Sequence, residues 1–327
     1  MLGSAEYEFH RKDRTWLLDP VAFGKPSAIA VPTTNQHVAA IVQYVSKTHV
    51  KVSVACGRHT HESIVQGGLM VDMSHGMNNV TVNETDQTVT VQGGATIGKV
   101  DSVCSQYGYI IPMGRVGSTG CIGQMLSTGA HGYCERMYGL GIDCLISAVV
   151  VTSTYDILTC NKDENTELFW AIRGGGFNFG IVCEMTFKPH IAPNKGQFYA
   201  GSYVYLTTGI LGMPTRKDVM QHILECMDHT RPVEYSFSAT MIAGSVNPVI
   251  VTHYWFGGSH EEGKQYIQSS GKKIGVCVSN TMGVHDYWNG IQKWAQGPKV
   301  RCIVLLLLVV VVVGVVIVVI VVDIYMQ

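Results

Sequence analysis

Val54–Glu62 reads VACGRHTHE, and it closes an alternating run, Lys51–Cys56 (KVSVAC), with the period-two pattern of a half-buried strand. Gly57 ends that strand and permits a sharp turn, because without a Cβ its φ can become positive at little steric cost. Arg58, His59, Thr60 and His61 follow at once, so a cation, two imidazoles and a hydroxyl share one tight turn. Backbone N–H groups in such a turn can converge on an anion, with His59 pointing at whatever they hold. In isolation the same residues read better as a histidine-rich surface loop, so the surrounding chain decides.

Upstream, Phe23–Pro32 (FGKPSAIAVP) holds a short strand between prolines. Thr34 or Asn35 then caps an amphipathic helix, HVAAIVQYVSKTH, whose Val38, Ile41, Val42 and Val45 recur at helical spacing. With Lys51–Cys56 this makes a small β-α-β unit ending at the His59 turn. Downstream, Leu69–Met73 (LMVDM) predicts another strand. Val80–Val82 and Thr88–Val91 predict a hairpin around the polar turn ETDQ. Thr96–Tyr107 is a second helical pattern, stopped by Gly108.

Met113–Gly132 (MGRVGSTGCIGQMLSTGAHG) carries six glycines among small and hydroxyl residues. Such material is poor for a core and suits an extended cradle of N–H groups and hydroxyls around phosphate oxygens. It contains neither a GxSxG nucleophile elbow nor a GxxxxGK[ST] loop, which argues against a serine hydrolase and a Walker-type nucleotide site. His131 with Cys134, and His59 with His61, have metal-like spacing, but no complete ligand set is formed and no metal is expected. Leu145–Thr159 has the pattern of a second hairpin. Asn165 or Thr166 starts the short helix ELFWAIR, which leads into Gly174–Gly176, FNFG, and a strand over Ile181–Lys188. The order helix, glycines, strand is the reverse of a dinucleotide-binding fingerprint, so a doubly wound fold is disfavoured.

The chain has 327 residues, enough for about two domains. Its net charge of -1 gives no reason to expect nucleic acid. The ten cysteines are scattered with no CxxC pair, which argues against a zinc ribbon or thioredoxin-type site. The amino-terminal residues lack the apolar stretch of a signal peptide. Ile303–Val322 is twenty uncharged residues behind Lys299 and Arg301, and as a helix it would span ~30 Å, a bilayer core. Two readings stand for this run: a single membrane-spanning helix at residues 303–322, or translated low-complexity sequence.

The succession VACGRHTHES, LMVDMSH, VQGGATIGKV, GCIGQMLSTGAHG and LFWAIRGGGFNFGIV resembles the FAD-linked oxidases with a PCMH-type FAD-binding domain, in the vanillyl-alcohol oxidase superfamily. Berberine-bridge-like enzymes and aldonolactone or alditol oxidases belong there, and the likeness runs from about Pro20 to His190. It implies an α+β fold: a two-subdomain FAD-binding domain (residues 24–192), a partial α+β substrate domain (193–300) and the apolar segment. The resemblance assigns Cys56, Gly57, Arg58, His59, Thr60 and His61 to the pyrophosphate-binding turn, with His59 as the covalent flavin attachment. Arg58 stands where the family usually has glycine. It also assigns Gly117, Ser118, Thr119, Gly123, Ser127, Gly129 and His131 to the second flavin-contacting loop, where Gln124 replaces a common glycine. Gly180, Ile181 and Val182 fall where backbone meets the adenine end. Members with two covalent links have a cysteine where this chain has Val116, and Cys121 lies five residues on, so a single link is expected.

From the family follows hydride transfer to FAD from a small-molecule alcohol or sugar-like substrate, with oxygen as a candidate acceptor and a membrane as a partner only through Ile303–Val322. Localisation turns on the same run. The strand-like stretches YSFSATMIA and VIVTHYWF offer Tyr235, His253 and Tyr254 as bases, none of them singled out. The family's final segment, which covers the flavin, is not recognised in the chain. The second functional class is therefore a truncated relative that binds FAD without turnover.

Overall fold

Three parallel strands carry the His59 turn. In the computed structural model, which describes residues 3–12, 24–209, 212–227, 230–242, 248–271, 277–288, 302–308 and 318–324, helix α1 (Ala5–Lys12) precedes β1 (Ala28–Ala30). Helix α2 (Asn35–Thr48) starts at Thr34, whose hydroxyl accepts from the His37 N–H, and ends at His49 in the left-handed region, φ 53°. Strand β2 (Val52–Ala55) follows, and β3 (Leu69–Asp72) inserts between β1 and β2, parallel to both. The β-α-β reading is correct, with β3 as the central strand that the pattern did not place.

Strands β4 (Val80–Asn83) and β5 (Thr88–Gln92) form the expected hairpin. Helix α3 (Ile97–Gln106) is capped by Thr96, and the short strand β6 (Tyr109–Ile110) follows. Next come α4 (Cys121–Thr128), the one-turn α5 (Glu135–Tyr138), the hairpin β7 (Leu145–Val151) and β8 (Ile157–Asn161), α6 (Thr166–Ile172), β9 (Ile181–Phe187) and β10 (His190–Ile191). Strand β9 joins the two hairpins into one antiparallel sheet in the order β4-β5-β9-β7-β8. Val89, Val91, Ala148, Val150, Met185 and Phe187 from this sheet pack with α3 and α4 in one buried cluster. Each fully buried large apolar side chain contributes about 1.5–3 kcal/mol.

Helix α4 corrects the expectation of an extended cradle over Met113–Gly132. Its Cys121, Ile122, Met125 and Leu126 form a buried stripe at helical spacing. The glycines gather at its flanks, and only Gly123 lies within it, so the region is loop, core helix and loop.

The chain divides into two compact units, Met1–Gln197 with Asp286–Gln292, and Phe198–His285 with Lys293–Gln327. In the second unit, β11 (Gln197–Tyr205), α7 (Arg216–Cys226), β12 (Tyr235–Met241), β13 (Val249–Trp255), α8 (His260–Gly271), β14 (Ser279–Asn280) and β15 (Gly283–Asp286) build an antiparallel sheet ordered β12-β13-β11-β14, with β15 also on β11. Tyr203, Tyr205, Tyr235, Val249, Val251 and Trp255 pack on Val219 and Ile223 of α7 and Ile267 of α8.

The spanning helix expected over Ile303–Val322 is not found. The described residues of that run lie in β16 (Cys302–Leu308) and β17 (Val318–Ile324), which pair antiparallel, while residues 309–317 lie outside the described set. Valine and isoleucine are β-branched, and their restricted χ1 favours a strand wherever a pairing partner exists. Among the described residues, no helix is long and apolar enough to cross a membrane.

Candidate functional site

The turn after β2 and the loop before α4 meet backbone to backbone. A Cβ on Gly57 would strike the amide nitrogen of Gly120 and come within 2.8 Å of the Ser118 carbonyl oxygen. A Cβ on Gly120 would fall 2.8 Å from Cys56 Sγ. No side chain larger than hydrogen fits at Gly57 without moving main chain, and one at Gly120 would have to displace the Cys56 side chain. The Ala95 carbonyl sits across the junction, accepting from the Cys121 N–H at 3.0 Å and from the Cys56 thiol at 3.5 Å. The loop is in turn held by α3: the amides of Ile97 and Gly98 donate to the Thr119 and Gly117 carbonyls at 2.9 and 2.8 Å. These are first-turn donors that the helix itself cannot satisfy.

His59 stands at this junction. Its Nε2 is 3.2 Å from Ser118 Oγ and its Nδ1 is 3.3 Å from Thr119 Oγ1, so both ring nitrogens face hydroxyls of the second loop. Burial pushes the imidazole below its ordinary pKa, with a hydrogen bond to the Ser118 backbone opposing. That shift favours the neutral ring, which keeps the lone pair that bonding to an electrophilic carbon requires.

Arg58 does not face this junction as a free cation. Its φ is 51°, and its fully buried guanidinium turns inward, with Nη2 2.8 Å from Asp72 Oδ1 and Nη1 donating to the Cys56 carbonyl and to Ser74 Oγ. Burial pushes the Asp72 carboxyl up, but Arg58 and then Ser74, His10 and His75 outweigh it and hold the group below the usual range. The side chain anchors the turn from behind and leaves only the Arg58 backbone to the junction. Thr60 and His61 are exposed and lead into a short 3-10 turn, with Ser63 Oγ donating to the Thr60 carbonyl.

The remaining expected residues separate into two places. Gly123 and Ser127 lie on α4, where Ser127 Oγ donates back to the Gly123 carbonyl. Gly129 ends that helix at φ 72°, and His131 is exposed with Glu135 3.8 Å away. The Gln124 amide oxygen accepts from the Gly114 N–H at 2.9 Å. Gly180, at φ 136°, has no room for a Cβ because the Val151 carbonyl occupies that space. Ile181 and Val182 pair with Val151 and Val150 at the start of β9. Cys121 is buried in the core, and burial pushes its thiol far above the ordinary range.

Sequence reasoning passed over Gly93, Gly94 and Asp72. Gly93 donates to the Cys183 carbonyl and Gly94 to the Met77 carbonyl, and a Cβ on Gly94 would strike the Met73 backbone. The doublet between β5 and the Thr96 cap was the available signal. Asp101 on α3 was missed as well: it is buried, both its oxygens lack hydrogen-bond partners among the described residues, and burial raises its pKa well above normal. In the second unit, Tyr235 and His253 bond each other in the core (Oη to Nδ1 2.7 Å) on the face packed against the helices. Tyr254 lies on the opposite face, stacked near Phe256 with ring centroids 6.0 Å apart.

Residues 26–161 match the family described as FAD binding domain. The chain carries an FAD-binding domain similar to that of FAD-linked oxidoreductases. An FAD-linked oxidoreductase of Dictyostelium discoideum is 32% identical over 285 residues, covering 87% of this chain and 59% of that protein. The glucooligosaccharide oxidase of Sarocladium strictum is 30% identical over 308 residues, covering 88% and 58%. Among solved structures, the glucooligosaccharide oxidase of Acremonium strictum, whose FAD is 6-S-cysteinyl, 8α-N1-histidyl, superposes with a TM-score of 0.71 at 27% identity over 82% of this chain and 55% of that one. A carbohydrate oxidase of Microdochium nivale gives a TM-score of 0.75 at 25% identity over 90% and 61%. The chain thus spans somewhat over half the length of the FAD-linked oxidases it matches, and FAD is the cofactor of its first domain.

Proposed function

We infer that the chain is an FAD-dependent oxidoreductase acting on a carbohydrate or related alcohol, with the flavin held at the Gly57–Gly120 junction and bonded to His59. The observation that carries the reading is the position of His59: an imidazole fixed between Ser118 and Thr119 where two glycine backbones touch. The fit to FAD rests on the same features, since a pyrophosphate needs main-chain donors approached without side chains, and Gly57, Gly117 and Gly120 supply such a surface. The saccharide class is supported by the relatives that oxidise gluco-, chito- and xylooligosaccharides.

When bound, FAD supplies the two-electron hydride acceptor that no side chain can provide. The protein's part is positional. Ser118 and Thr119 fix the plane of the His59 ring, and the buried Arg58–Asp72 pair holds the turn that presents it. Tyr235 and His253 are committed to each other within a core, which leaves Tyr254 as the one of the three sequence-derived bases outside that cluster. The expected test is the absorbance of purified protein before and after acid precipitation. Flavin absorbance in the precipitate, with peroxide formed from oxygen on adding oligosaccharides, supports the reading; a colourless protein that takes up no FAD excludes it.

A further inference from the structure

Away from the junction, three ligand-type side chains from separate stretches converge. His10 on α1 and His75, just past β3, both aim Nδ1 at the same oxygen, Asp72 Oδ2, at 2.7 and 2.8 Å. The three ligating atoms lie within 4.8 Å of one another, the only set of three His, Cys, Asp or Glu found so close among the described residues. Asp72 is fully buried, whereas the His10 and His75 side chains are 16% and 23% exposed, so solvent reaches the histidine side. The other carboxylate oxygen is already engaged by Arg58 and by the amide and hydroxyl of Ser74. Asp72 is thereby held with a single oxygen presented to two imidazoles. The two rings pack edge to face at 4.6 Å, and Phe9 covers both at 5.3 and 4.9 Å.

We propose that His10 Nδ1, His75 Nδ1 and Asp72 Oδ2 form a binding site for a divalent transition-metal ion of the zinc class. Two imidazole nitrogens and one carboxylate oxygen are the donor types zinc takes in a tetrahedral site, with water in the fourth position, whereas calcium and magnesium prefer oxygen donors throughout. Bond lengths of about 2.0–2.2 Å put tetrahedral ligand atoms roughly 3.3 Å apart. The two N–O separations need to open by about half an ångström, while the two histidine nitrogens, within 4.8 Å of each other, must settle to the same spacing. Each imidazole must offer its Nδ1 lone pair to the ion, which leaves the remaining ring proton on Nε2. Arg58 and Ser74 supply the outer support that fixes the carboxylate. Arg58 also offsets the charge of Asp72, so the site binds more weakly than a thiolate site and gives up its ion to a chelator. The bound ion staples α1 to the strand that anchors the His59 turn, and the proposal does not depend on flavin chemistry.

The test uses the full chain, stripped with a chelator and titrated with zinc against a chromogenic competitor. One zinc per chain is expected in the wild type and in His37→Gln, whose histidine is exposed on α2. At least tenfold weaker binding is expected in both His10→Gln and His75→Gln, with unchanged far-ultraviolet circular dichroism. Absence of binding by the wild type, or retention of its affinity in either variant, overturns the site. Should a variant fail to fold, the cobalt(II) spectrum of the wild type decides: intense tetrahedral bands support the site, and a weak octahedral spectrum overturns it.

Discussion

Arg58 Nη2 and Asp72 Oδ1 lie 2.8 Å apart with both side chains fully buried, and the pair locks the first loop of the cofactor domain to the central strand of its parallel sheet. Removing one partner strands the other charge in the interior, which costs about 3–5 kcal/mol. Asp72→Asn should therefore lower unfolding free energy by roughly 3 kcal/mol. Arg58→Gly should do nearly the same despite relieving a positive φ, and the double variant should recover part of the loss. Chemical denaturation of the three proteins checks this, and a loss below about 1 kcal/mol in each single variant would dismiss the pair as an anchor.

His59→Ala should leave FAD bound through backbone contacts but release it into the supernatant on acid precipitation. Cys121→Ala should leave attachment untouched, because that thiol is buried with α4. Flavin remaining in the His59→Ala precipitate would place the bond elsewhere.

Gly57→Ala tests the contact of the two loops. The added methyl meets the Gly120 amide, so the loops must part by a fraction of an ångström or more. FAD affinity should fall about tenfold or more, equivalent to ~1.4 kcal/mol, in equilibrium dialysis with the substitution made in a His59→Ala background, where no covalent link forms. Gly123→Ala, where the structure leaves open space, should bind as the parent does. Equal affinity in both would refute the steric account.

Burial, with a smaller contribution from His222, lowers the His253 pKa to about 4. The unfolded chain binds a proton near pH 6.5 and the folded one does not, so stability is lost as pH falls from about 6.5 towards 4. The loss from this group is on the order of 3 kcal/mol. Asp72, with its folded pKa depressed, has the same sign and loses its contribution lower on the acid side. His253→Phe should flatten the upper part of the acid limb in melts followed between pH 7 and 4; an unchanged limb would clear His253 of the effect.

Asp101 has the opposite sign. Its folded pKa is raised by burial, so its effect is smallest below the unfolded pKa near 4 and destabilises increasingly as pH rises through the window above it. Asp101→Asn should raise Tm more at pH 7 than at pH 4. A uniform shift at both pH values would show that hydrogen bonding, not ionisation, controls the site.

Much of the cofactor domain was legible because its signals are local. Thr34 and Thr96 cap where a hydroxyl precedes an apolar stripe, and both hairpins follow period-two runs with polar turns between them. What escaped depends on distant partners. The stripe Cys121, Ile122, Met125 and Leu126 is a helix because a core waits for it, and the glycines around it masked the periodicity. Arg58 beside histidines reads as a surface cation until Asp72 is placed behind it. Within Ile303–Val322, hydropathy alone suited a bilayer, whereas the pairing of Leu305 with Val321 makes strands of the same residues.

His59 and its partners Ser118 and Thr119 are separated by 59 and 60 positions along the chain. Everything between them, from the parallel sheet's last strand to the helix that grips the loop, must find its place before the imidazole is framed. Closing a loop of that length carries an entropic cost that a local motif avoids. The proposed flavin bond at His59 would therefore be a receipt for completed folding: unfolded or half-made chains present the histidine but not its setting, and the fraction of molecules carrying the link would count those that closed.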